Sequence, residues 1–110
     1  MASPGDVVVV RFQGAAEIKR RPAVVASSAL YHQHRPDHVV GVLTSQVQST
    51  TAPVDYVLQD WSVAGLHQPS AFRSYFNTVR ASDVVVIGRL SDRDWQGVRQ
   101  RLARTFGFTV

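Results

Sequence analysis

The longest unbroken apolar runs in the chain are four residues, as at Val7–Val10 and Val84–Ile87. A bilayer span takes about 20 apolar residues, so these runs fit short buried strands bounded by turns. Pro4-Gly5-Asp6 opens the first of them with a turn signal. The pattern predicts strands at Val7–Phe12, Arg21–Ala26, His38–Leu43 and Val54–Leu58, and a short buried strand at Val84–Ile87. Gln13–Lys19, Ser27–Asp37, Ser49–Pro53 and Gln59–Pro69 are expected to be loops, and Ser70–Val79 fits neither strand nor helix period cleanly.

The C-terminal segment has a different period. Ser91 followed by Asp94 is a variant capping box, flanked by Leu90 and Trp95 at the positions of a hydrophobic staple. Trp95, Val98, Leu102 and Phe106 then recur at helical spacing, so an amphipathic helix is expected to lie against the sheet. At 110 residues the chain fits one domain, residues 1–110, of α+β or small-barrel class.

There is no cysteine, which excludes disulfides, thiolate metal sites and a cysteine nucleophile. The N-terminus lacks the pattern of a signal peptide, and the expectation is a cytoplasmic protein without a membrane segment. The formal charge is +4, and eleven of the twelve basic residues are arginine. A polyanionic partner fits that balance, but charge alone does not separate a nucleic-acid binder from a solvated basic surface.

Three polar clusters interrupt the apolar strands: Glu17-Ile18-Lys19-Arg20-Arg21-Pro22, Thr44-Ser45-Gln46, and Ser70-Ala71-Phe72-Arg73. Taken alone, the first is as easily a solvated basic turn and the second a strand end. His32, His34 and His38 include an H-x-H pair, but with Asp37 as the one nearby acid they make a poor metal set, and no metal or cofactor is expected.

In order along the chain, five blocks resemble those of MazF/PemK toxins. They are Gly5-Asp6-Val7, Lys19-Arg20-Arg21-Pro22-Ala23-Val24-Val25, Leu43-Thr44-Ser45-Gln46, Gly65 to Arg73, and Ile87-Gly88-Arg89-Leu90-Ser91. The resemblance implies a strongly curved SH3-like β-barrel with a C-terminal amphipathic helix, paired as a homodimer. It also implies metal-independent, sequence-specific cleavage of single-stranded RNA, leaving a 2′,3′-cyclic phosphate or 3′-phosphate and a 5′-hydroxyl. An acidic antitoxin would be the protein partner.

The chemistry of the residues agrees. RNA carries its own nucleophile, the 2′-hydroxyl, so the enzyme must position the phosphate and stabilise charge rather than supply a nucleophile. The resemblance makes Arg21 and Thr44 the catalytic pair, and an arginine fork suits two phosphate oxygens. The proton acceptor stays open. Relatives carry an acid five residues before the arginine, where this chain has Ala16, which leaves Glu17 as the candidate and His67 as the alternative. Lys19, Arg20, Ser45, Gln46, Ser70 and Arg73 are expected to contact RNA or its phosphates. Arg73 is a catalytic arginine in some relatives, but the acid they place two residues later is Tyr75 here. Two rivals stand beside the nuclease: a CcdB-like gyrase poison, suggested by the aromatic-glycine tail Phe106-Gly107-Phe108, and a non-catalytic RNA-binding barrel.

Overall fold

The valine runs pair with one another. A computed structural model describes residues 2–13, 18–50 and 52–109. Its strands are β1 (Asp6–Gln13), β2 (Ile18–Val25), β3 (Asp37–Thr44), β4 (Tyr56–Val57), β5 (Ala71–Arg80) and β6 (Val84–Arg89). They form one antiparallel sheet in the order β4-β5-β3-β2-β1-β6. Helix α1 (Ala29–His34) precedes β3, and helix α2 (Asp92–Phe106) closes the chain. The class is α+β with a C-terminal helix, as the periodicity predicts. Among the described residues no helix is long and apolar enough to cross a membrane.

Neighbouring residues of a strand face opposite sides of the sheet, so a four-valine run must be covered on both. Val7 packs with Val24, Leu43, Phe72 and Val98 of α2. Val8 and Val10 turn the other way and pack with Ala23, Val25 and Val40. No residue of α2 reaches this second cluster, yet Val8, Val10, Ala23, Val25 and Val40 are all fully buried. The sheet therefore curls around that face. Its ladders slip at two places that help it bend: between Val7 and Val8 against β6, and between Gly41 and Leu43 against β5. A Cβ at Gly41 would stand 2.3 Å from the Phe72 ring, so only glycine lets that ring lie over β3.

Helix α2 begins and ends as its sequence implies. The Ser91 side chain accepts from the Asp94 N–H at 3.2 Å, and Gly107 (φ 75°) closes the last turn by donating to the Ala103 carbonyl. The Asp94 carboxylate does not turn back to the cap as a capping box would. Fully buried, it accepts from the Tyr56 hydroxyl at 2.8 Å and from the Gln59 and Asp60 N–H groups at 3.0 and 2.8 Å. These bonds tie the helix to the segment that follows β4. Burial first, and then the hydrogen bond to Asp94, push the Tyr56 hydroxyl up to about 12, so it stays a donor across the working range. The Arg101 guanidinium lies 4.9 Å from the centre of the same ring.

Six further expectations change. Of the expected loop Gln13–Lys19, Gln13 belongs to β1 and Ile18 and Lys19 belong to β2, where the two strands extend their pairing. Ser27–Asp37 is not wholly irregular: Ser28 caps α1 by accepting from the Tyr31 N–H, a local signal that needs no hydrophobic period. The expected strand at Val54–Leu58 shrinks to Tyr56–Val57. Ser70–Val79 becomes the longest strand, because β3 and β4 pair with it on its two sides. The Val84–Ile87 run is a strand but not a buried one: Val85, Val86 and Ile87 are 51%, 48% and 40% exposed, since β6 is the sheet edge. Phe106 is 60% exposed and stacks with Phe76 and Phe108 rather than entering the core. Near α1, His32 stacks face to face on buried His38 with centroids 3.8 Å apart. Burial, and secondarily His38, hold the His32 pKa below its usual value.

Removing the Asp94 carboxylate leaves three donors unmet, each costing about 1–3 kcal/mol. Asp94→Ala is expected to lower unfolding stability by roughly 3–5 kcal/mol in a urea titration. A loss below about 1 kcal/mol would show that Asp94 does not tie α2 to the sheet.

Candidate active site

β2 hydrogen-bonds to its two neighbours on alternate residues. The Val25 carbonyl accepts from the Gly5 N–H ahead of β1, while the Ala26 N–H donates to Val39 of β3. Alternation then turns Val24 and Pro22 toward β3. Pro22 has no N–H to give. The β2–β3 ladder runs from Val25↔Val40 to Ala23↔Val42 and stops there, whereas β2 stays paired with β1 through Pro22↔Val9 and Arg21↔Val10. Had the ladder continued, Pro22 would face Leu43 and Arg21 would face Thr44. The ladder stops at Ala23↔Val42 instead, and Arg21, Pro22, Leu43 and Thr44 all line one cavity.

That cavity has a volume of about 540 Å³. Arg21, Pro22, Leu43, Thr44, Ser45 and Gln46 line one side, with Val9 and Ile87 beneath. Gly65, Leu66, His67, Gln68 and Ser70 form the other wall. The cavity's size suits a small organic ligand or one nucleotide unit. Among the described residues Arg21 is the one formally charged residue in the lining, a charge that suits an anion.

Local hydrogen bonds fix the polar wall. The Thr44 hydroxyl oxygen accepts from the Gln46 N–H at 3.1 Å, and among the described residues its proton has no acceptor. The Gln46 carbonyl accepts from the hydroxyls of Ser49 and Thr50, at 3.0 and 3.1 Å. Opposite, the Ser70 hydroxyl donates to the Gln68 carbonyl at 2.9 Å, and the Leu58 N–H donates to the Ser70 carbonyl. Ser70 is 4% exposed and shapes its loop. Gly65 (φ 87°) and Gly88 hold the far wall against β6. A Cβ on Gly88 would stand 2.0 Å from the Ala64 carbonyl oxygen, and one on Gly65 2.5 Å from that of Ile87.

The structure thus gathers Arg21, Thr44, Ser45, Gln46 and Ser70 into one cavity, with His67 facing them. Arg20 and Arg73 are exposed and lie outside the lining. Lys19 stands opposite Phe12 on the β1–β2 ladder, and Glu17 lies outside the described residues. Sequence reasoning did not single out Val9, Leu66, Gln68 and Ile87. Three of them fall inside the Gly65–Arg73 and Ile87–Ser91 blocks, which was the available signal. Among the described residues no three His, Asp or Glu side chains converge.

The model of the PemK-like, MazF-like toxins of type II toxin-antitoxin systems matches residues 3–106. The chain belongs to that family. A comparison with curated protein sequences finds no match. Among solved structures, an endoribonuclease in complex with its cognate antitoxin from a mycobacterial species superposes with a TM-score of 0.80 at 15% identity, covering 100% of this chain and 99% of that one. A MazE-MazF structure from Deinococcus radiodurans gives 0.77 at 19% identity, with 98% of each chain covered. The Mycobacterium tuberculosis toxin MazF-mt6 gives 0.76 at 18% identity, covering 96% and 99%. At such identities the likeness establishes a shared fold, and the PemK/MazF assignment itself rests on the family match.

Replacing Pro22 by alanine supplies the missing donor. The new amide at position 22 is expected to be protected from hydrogen exchange as the ladder extends toward Leu43. Exchange at the unprotected rate would mean that something other than proline holds the strands apart.

Proposed function

We propose that this chain is a toxin that cuts single-stranded RNA, with Arg21 and Thr44 as its catalytic pair. The observation that carries the reading is their placement: positions on neighbouring strands, just past the end of the β2–β3 ladder, that line one cavity. The 2′-hydroxyl gives up its proton and attacks the adjacent phosphorus, the bond to the 5′-oxygen breaks as that oxygen takes up a proton, and a 2′,3′-cyclic phosphate and a 5′-hydroxyl result; addition of water to the cyclic ester gives the 3′-phosphate. The Arg21 fork and the Thr44 hydroxyl proton stabilise the oxygens that gain charge. The substrate supplies the nucleophile and Arg21 the positive charge, so no metal step is required. Loss of mRNA would stop translation and growth in the cytoplasm, and a cognate acidic antitoxin would restrain the enzyme.

The 2′-hydroxyl proton needs an acceptor. Arginine stays protonated and hydroxyls are weak bases, and Glu17 lies outside the described residues. The two acceptors that the sequence offers are Glu17 and His67, and His67 lines the cavity. Ser45, Gln46 and Gln68 offer hydrogen bonds to base edges.

A homodimer of the strongly curved, SH3-like barrel completes the proposal. Exposed Val85, Val86 and Ile87 on an edge strand are apolar surface that a second copy would cover. The exposed Phe106 and Phe108 favour a second reading, a CcdB-like gyrase poison acting through its tail.

In EDTA, the purified protein is expected to cleave single-stranded RNA, with Arg21→Ala and Thr44→Ala each slowing cleavage about 10²–10³-fold or more. Full activity of either variant would remove that residue from the mechanism, and gyrase inhibition without RNA cleavage would favour the second reading. His67→Gln is expected to reduce kcat by about 10²-fold with little change in RNA affinity. An unchanged kcat would return the proton step to another group. Light scattering should give twice the 12.1 kDa chain mass, and a mass of one chain would contradict the dimer.

A further inference from the structure

Arg11 was not among the residues the sequence marked out. The β1–β2 ladder places it directly opposite Arg20, and both are exposed. Directly opposed residues of an antiparallel pair share a face, with Cα atoms about 4.5–5.5 Å apart. Like charges in that arrangement repel and destabilise the pair. The ion pairs among the described residues are Arg89–Asp6 and Arg93–Asp60, so no described carboxylate offsets either arginine. Two opposed guanidinium groups are an arrangement that folding alone disfavours and that an anion between them would relieve.

Their position says which anion. Val9 and Pro22, the preceding partners on that same face, border the cavity that holds Arg21 and Thr44. Two residues of strand cover about 6.6 Å. The strand positions of Arg11 and Arg20 therefore stand one step along the β1–β2 ribbon from residues that line the cavity. A polynucleotide threaded through the cavity carries a phosphate on each nucleotide, and arginine forks match phosphate oxygens.

We propose that Arg11 and Arg20 together clamp a second phosphate of the bound single strand, next to the scissile one. This rests on the reading of the cavity as a phosphodiester site. The clamp gives affinity and sets which way the strand leaves, and it takes no part in bond cleavage.

The test uses the whole protein and fluorescent 2′-O-methyl oligoribonucleotides, which lack the nucleophile and survive binding. One is a mixed-sequence strand of about twelve nucleotides and the other a trinucleotide. For Arg11→Gln and Arg20→Gln, the dissociation constant of the longer strand should rise about five- to thirty-fold at low salt. The slope of log affinity against log salt should shrink by about 0.7 for the one phosphate released. The trinucleotide should be nearly unaffected, and the double variant should lose less than the product of the singles because both arginines serve one phosphate. Thermal stability should be unchanged or higher, since a repulsion has gone.

An unchanged salt slope and affinity in Arg11→Gln, with the wild type binding the longer strand, would overturn the clamp and leave the phosphodiester reading standing. Failure of the wild type to bind any single strand would overturn both. Loss of binding to a polyglutamate peptide with RNA binding intact would assign the pair to an acidic protein partner and also overturn the proposal.

Discussion

One absent hydrogen-bond donor shapes the candidate site. Pro22 sits at the β2 position whose N–H should point at β3, and the β2–β3 ladder ends one residue before it. A proline inside a sheet usually marks an edge, because it removes a ladder bond. Here it makes an edge within the sheet: β2 remains tied to β1 while β3 goes on with β5. The cavity reaches the ends of both strands, with Arg21 on β2 and Thr44 on β3 in its lining.

The opening needs a second wall, and that wall depends on α2. The segment after β4 has little regular structure of its own. Asp94 fixes its start through Gln59 and Asp60, and the close approach of Gly88 to Ala64 fixes its middle. The Leu58–Ser70 bond closes its far end. His67 and Gln68 are thereby held across from Arg21 by contacts made well outside the cavity. A buried carboxylate on a terminal helix thus bears on the site without touching it.

Much of this was legible in the sequence, and the losses have physical causes. The valine runs gave strands because strands buried on both faces are written as continuous apolar runs. The Ser91 cap gave the start of α2 because capping is local. Asp94 was read as part of that cap, since its real partners lie 34 to 38 residues away and leave no local trace. The β6 run was read as buried because hydropathy does not reveal which strand is at the edge. The lining residues Arg21, Thr44, Ser45, Gln46 and Ser70 came from motif blocks, Leu66 and Gln68 stood inside a block without being singled out, and Val9 lies outside every block and enters only through its place opposite Pro22. Arg11 was invisible until the register set it opposite Arg20.

The central claim is that Arg21 and Thr44 hold one phosphodiester across an open ladder. A crystal structure with a 2′-O-methyl oligoribonucleotide bound tests it most directly. The account predicts a phosphate within hydrogen-bonding distance of both the Arg21 guanidinium and the Thr44 hydroxyl, with β2 and β3 still apart at Pro22. A strand bound elsewhere on the surface, or a phosphate that meets only one of the two residues, would contradict it.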